Sequence, residues 1–152
     1  MSDERPDAEL RAQVNSRARS CCEYCRSQAR FATQSFSVEH IVPRNRGGLT
    51  VLDNLALSCQ GCNNHKYNKV TDRDPLTGDV VPLFHPRQHR WDDHFAWNDD
   101  YSTIVGLTPS GRATVAALRL NREGLVNLRR VLYAVGEHPP SRVPADSEPS
   151  ES

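Results

Sequence analysis

Apolar residues recur at helical spacing near the two ends of the chain and alternate in short runs between them, a pattern that predicts an α+β order. Leu10, Val14 and Ala18 fall at i, i+4 and i+8, so a short helix is expected over residues 10–20, ahead of the first cysteine pair. Ser35 to Ile41 alternates: Phe36, Val38 and His40 share one side, and Ser37 and Glu39 the other, as in a strand. Pro43 and Gly47-Gly48 force a loop over 42–50, after which Leu52 to Leu57 reads as a second short strand or extended segment and Asn63 to Lys69 as a short helix.

Asp74-Pro75 and Thr77-Gly78-Asp79 mark turns, Val80 to Phe84 an extended piece, and Tyr101 to Leu107 another strand. Thr108 followed by Pro109 is an N-cap and first-turn signature, with helix continuing through Ala113 to Leu120. Asn121 is expected to cap a second helix, whose apolar positions Leu125, Leu128, Leu132 and Val135 recur at three and four before Gly136 stops it. The polar start over 1–9 reads as frayed, and His138 to Ser152, with four prolines and four serines and no apolar period, as a disordered tail. The expected organisation is an N-terminal arm and helix (1–20), a core (21–70), a C-terminal extension packed on it (71–136) and the tail (137–152).

A chain of 152 residues suits one domain with an appended part. Its 19 Lys and Arg balance 19 Asp and Glu, so net charge alone points to no partner. The distribution does: residues 15–70 hold eight basic residues and three acidic ones, as a polyanion-binding centre would. No run approaches the roughly 20 apolar residues of a membrane span, and residues 1–11 lack the apolar centre of a secretory signal. An intracellular, cytoplasmic setting with reduced thiols is therefore expected, and five cysteines bunched as two pairs argue against a disulfide framework.

Cys22-x2-Cys25 and Cys59-x2-Cys62 are two knuckles, each able to turn both thiolates onto one metal. Four sulfurs complete a tetrahedral shell that favours zinc, closed by protein ligands and so structural. Cys21 is left over, because Cys22 supplies the matching spacing. No thioredoxin-like βαβ setting surrounds either pair, which disfavours a redox role.

Between the knuckles stand Glu39-His40-Ile41-Val42-Pro43, Gly47-Gly48 and Asp53-Asn54-Leu55-Ala56-Leu57, and after them Asn63-Asn64-His65-Lys66. This arrangement resembles the HNH endonuclease family over Cys22 to Lys69: an acidic residue and histidine at a strand end, a proline, a Gly-Gly loop, an Asn-Leu strand, and a helix opening after a CxxC. The resemblance implies a zinc-stabilised ββα-metal core, extended here by a strand and two helices, and metal-dependent hydrolysis of phosphodiester bonds in DNA, RNA not excluded. In its terms His40 is the general base, Asn54 pins the loop and orients that histidine, and Glu39 and Asn63 hold a magnesium or manganese ion. Glu39 stands where the family usually has Asp; either the strand bends to bring it beside His40, or it is only an electrostatic neighbour. His65 is a lesser ligand candidate, rotated about 200° from Asn63 on a helix.

Arg44, Arg46, Lys66 and Lys69 are candidate phosphate contacts. His85, His89 and His94 form a second histidine-rich patch, able to assist at a phosphate or to bind metal. They lie in a segment that resembles an extension of free-standing bacterial HNH proteins, where Trp91, Phe95 and Trp97 are expected to cover the core. The competing reading is a zinc-dependent nucleic-acid-binding module without catalysis.

Overall fold

The computed structural model describes residues 5–145. The architecture is α+β, with three two-stranded antiparallel hairpins and five helices among the described residues. Helix α1 (Ala8–Ala18) begins where the Asp7 carboxylate accepts the Leu10 N–H at 2.8 Å, and it ends on Arg19 in the left-handed region. Its Val14 and Ala18 pack on Leu55 and Leu57, forming a small core of their own. Arg17 donates from its guanidinium to the carbonyls of Leu52 and Leu55, tying the helix to the edge of the next hairpin.

That hairpin pairs β1 (Ser37–His40) with β2 (Leu55–Ser58), Glu39 opposite Ala56 and His40 opposite Leu55. The Leu52 to Leu57 stretch expected to be one strand starts instead as a single 3₁₀ turn, Leu52–Asn54. Helix α2 (Gln60–Lys66) starts three residues earlier than its sequence suggests, because Cys59 caps it through its sulfur. β1, β2 and α2 together make a ββα unit, with the first knuckle folded against it through the Glu23 N–H to Leu57 carbonyl bond of 2.9 Å.

Two further hairpins follow: β3 (Thr71–Arg73) with β4 (Val80–Pro82), and β5 (Phe95–Trp97) with β6 (Ile104–Gly106). The one-turn helix α3 (Trp91–His94) precedes β5. Helix α4 (Pro109–Ala117) is capped by Thr108, whose hydroxyl accepts the Gly111 N–H at 3.0 Å, and α5 spans Glu123–Ala134. Asn121 does not cap α5; its amide exchanges hydrogen bonds with both backbone groups of Ile104, at 2.7 and 2.8 Å. Arg129 of α5 is buried, donates to the Ser102 and Leu120 carbonyls, and lies over the Trp97 ring. The extension packs onto the ββα unit through one core in which Tyr24, Ile41 and Ala56 meet Phe84, Trp91, Phe95 and Leu120.

The expected tail is a correction as far as residue 145. His138, Pro140 and Pro144 are buried, and the segment runs back over the start of the chain. Gln28 donates to the Glu137 carbonyl at 2.7 Å, Arg19 to that of Val143, and the Ala145 N–H to that of Arg17. Proline-rich composition reads as disorder, yet proline rings bury without offering an N–H that must be satisfied. Residues 1–4 and 146–152, the rest of the expected arm and tail, lie outside the described residues. Truncation after Gly136 should lower stability by about 2–4 kcal/mol, from lost burial and hydrogen bonds, measurable as a lower denaturant midpoint. An unchanged midpoint would show that this strap contributes nothing.

Candidate functional site

The four knuckle cysteines are buried, and their sulfurs all lie within 4.8 Å of one another. A tetrahedron with metal–sulfur bonds near 2.3 Å needs sulfurs about 3.8 Å apart. The Cys25–Cys59 separation of 3.6 Å meets that requirement. Each knuckle aims a backbone N–H back at its first sulfur, Cys25 to Cys22 and Cys62 to Cys59, both at 3.5 Å. Neighbouring thiols and the Cys62 N–H hold the Cys59 thiol below its ordinary range, while burial raises that of Cys22. The donor set fits zinc, which would hold the two knuckles together.

Arg122, which the sequence pattern did not single out, donates to the Cys59 sulfur at 3.3 Å and sits 3.7 Å from that of Cys62. Its charge offsets part of the excess negative charge of four thiolates around one dication. Gly61 makes this approach possible, because a Cβ there would stand 2.4 Å from the guanidinium. Cys21 lies outside the sulfur cluster and bonds the Arg142 carbonyl at 3.5 Å.

His40 closes β1, half-buried, with Nε2 2.8 Å from the Thr50 hydroxyl. Partial burial, followed by the Arg44 charge, lowers its proton affinity, so the imidazole is neutral at pH 7. Asn54 holds the loop after it: the side-chain oxygen accepts the Val42 N–H at 2.8 Å, and the amide donates to the carbonyls of Val42 and Leu49. This clamp needs Gly48, where a Cβ would lie 1.8 Å from the Val42 oxygen and 2.8 Å from the Asn54 amide nitrogen. Gly48→Ala should therefore cost about 3 kcal/mol or more, since the obstructing atom is backbone. Urea unfolding checks this, and a variant of parental stability would mean that the loop is free to move away.

The regular pairing of β1 with β2 carries no bulge, so the strand does not bend at Glu39, and alternation places Glu39 and His40 on opposite faces. Glu39 is buried, accepts the Tyr24 hydroxyl, and pairs with Lys66 Nζ at 3.4 Å. Lys66 also donates to the Ile41 carbonyl at 2.8 Å and is only 2% exposed, which removes it from the solvent-facing phosphate contacts. Burial raises the Glu39 carboxyl, against which Lys66 and then Tyr24 pull it down.

Asn63 is half-buried one turn before Lys66, and its side chain makes no hydrogen bond among the described residues. His65 is half-buried on α2, and burial followed by the charges of Arg119, Arg122 and Lys69 lowers its proton affinity. A divalent cation needs an open carboxylate, yet both Glu39 oxygens are engaged and an ammonium already stands at the pairing position. Apart from the four cysteines, no cluster of three or more His, Cys, Asp or Glu side chains converges on a point among the described residues. The residues present do not fit the implied magnesium or manganese ion in this arrangement.

Arg44 and Arg46 are exposed on a single 3₁₀ turn that follows His40, with Arg46 donating to the Asn68 carbonyl. Lys69 pairs at 3.5 Å with Asp72. His89 and His94 lie against Phe84, with ring centroids 4.9 Å apart, and His85 lies 6.4 Å from His89. Burial lowers all three, and His85, with His89 beside it, is pushed down to about 4.

Two cysteine knuckles fit to hold zinc thus bracket a ββα unit with a histidine at the end of its first strand. Residues 22–69 match the family described as HNH endonuclease, and the match takes in both knuckles, His40, Asn54 and Asn63. No curated protein matches the chain. Among the described residues no helix is long and apolar enough to cross a membrane.

Proposed function

We propose that the protein is an endonuclease that hydrolyses phosphodiester bonds in DNA, with His40 as general base. The observation that carries this reading is an imidazole held by Thr50 at the strand end of the stretch that matches HNH endonuclease, beside two exposed arginines. In the tautomer that donates Nε2–H to Thr50, Nδ1 is left as the acceptor for a water proton. The water oxygen bonds to phosphorus as the bond from phosphorus to the 3′ oxygen breaks, and the departing 3′ oxygen takes a proton from solvent, giving a 5′-phosphate and a 3′-hydroxyl. Arg44 and Arg46 hold the strand by its phosphates, and Asn54 keeps the His40 loop in place.

A second reading, a zinc-stabilised nucleic-acid-binding module without catalysis, is favoured by the closed pairing of Glu39 with Tyr24 and Lys66. Cleavage of supercoiled plasmid, followed with magnesium, with manganese and with neither, separates the two. Nicked or linear product that requires His40 supports the nuclease; retarded but intact DNA in all three conditions supports the binding module.

A further inference from the structure

Helix α2 ends in a β-turn that holds a tyrosine where glycine is expected. The Lys69 N–H donates to the Lys66 carbonyl at 3.0 Å and closes the turn, with Tyr67 at its first central position. There Tyr67 has φ 52° and ψ −116°, the type II′ geometry that glycine adopts freely and a residue with a Cβ does not. Arg19, at the end of α1, has the same φ of 52° but ψ 39°, which is the left-handed helical well that other residues tolerate. Tyr67 has no such relief. Packing does not hold it there either: Tyr67 is 77% exposed and makes no side-chain hydrogen bond and no ring contact among the described residues. A strained turn that carries an exposed aromatic side chain with no internal task points to a partner outside the chain.

The turn is fixed to the loop after His40 on both sides of Tyr67. Lys66 donates from Nζ to the Ile41 carbonyl, and Arg46 donates from Nε to the Asn68 carbonyl, both at 2.8 Å. An exposed ring therefore stands beside an exposed guanidinium on that loop, whereas Lys69 is already paired with Asp72. We propose that Tyr67 is the stacking platform for one unpaired base of single-stranded DNA, with Arg46 receiving the neighbouring phosphate. Every base has a π-face, but in a duplex both faces are covered by the bases above and below, so a lone ring selects unpaired strand. The Arg46 charge favours a polyanion over an apolar peptide as the occupant. That the strand is cut rests on the proposed function; that it is bound unpaired rests on the ring and its setting.

The test measures, by fluorescence anisotropy, binding of a labelled single-stranded oligonucleotide and of the same sequence as duplex. It uses the zinc-loaded full chain in buffer without added magnesium or manganese. Tyr67→Phe keeps the ring and should bind the single strand as the parent does. Tyr67→Gly removes the ring and relaxes the turn, so its thermal midpoint should lie at or above that of the parent. Its single-strand binding should be about tenfold weaker or more, with duplex binding unchanged. The proposal is overturned by a parent that does not bind the single strand, by parental single-strand affinity in Tyr67→Gly, or by an equal loss for duplex or in Tyr67→Phe. A lowered midpoint in Tyr67→Gly would also overturn it, making the tyrosine a support of the fold. Selective loss in Tyr67→Gly, when the parent cleaves no DNA, would support the platform and remove the nuclease reading. Cleavage by the parent with parental binding in Tyr67→Gly would do the reverse.

Discussion

Replacing Cys59 with serine is expected to leave the chain without a stable fold. Structural zinc contributes about 10–16 kcal/mol in small domains, as much as a whole domain's ordinary stability of about 5–15 kcal/mol. Here the metal would join the first knuckle to the start of α2, and Cys59 has a second task, since its sulfur caps that helix. The main core is continuous with the sulfur cluster: Cys22, Cys25, Cys59 and Cys62 are counted among the same buried residues as Tyr24, Phe84 and Trp91. Opening the cluster therefore exposes the contact between the ββα unit and its extension. The checks are zinc content by atomic emission, near one ion per chain for the parent, and loss of near-ultraviolet dichroism in Cys59→Ser or in strong chelator. A well-folded, metal-free parent would overturn the zinc assignment.

The knuckles were legible because their chemistry is local: a two-residue spacing constrains both thiolates whatever surrounds them. The β1 strand and the Thr108 cap were legible for a similar reason, each residue's role depending on near neighbours. Strands β3 and β5, of three residues each, were missed, since alternation over so few positions cannot be told from a loop. Lys66 looked like a surface cation. Only the fold brings it under Ile41 and against Glu39, and a buried ion pair between distant residues leaves no periodic trace. Arg122 escaped notice likewise, its sulfur contacts being set by where the fold places the residue ahead of α5. Asn121 bears a cap's side chain and a cap's position, but Ile104 offers two backbone groups at once and Arg129 a third contact, which outweigh one N-cap bond.

Asn54 presents the same contrast within the candidate site. Its sequence context resembles a family position that pins a loop, and its side chain bonds Val42 twice and Leu49 once. Nothing in the sequence, though, tells that a Cβ at Gly48 would collide with the Val42 carbonyl. Glu39 was expected beside His40 only if its strand bent, and pairing with β2 over all four residues keeps the strand regular.

The most direct measurement is plasmid cleavage by His40→Ala against the parent, in zinc-loaded preparations purified side by side, across pH 4.5 to 8 with and without magnesium or manganese. General-base loss costs about 10²–10⁴-fold. His40 touches the Thr50 hydroxyl and no zinc ligand, so zinc content and thermal midpoint should be those of the parent. The pH profile adds a second signature. An ordinary imidazole titrates near 6.5. Burial, then Arg44, lowers His40, so the base is unprotonated at neutral pH and the acid fall-off of the parent should lie below that value. His40→Ala should lack this limb. Cleavage reduced at least a hundredfold on a folded, zinc-replete chain is the expected result, and cleavage at the parental rate with the same pH profile would contradict the catalytic assignment.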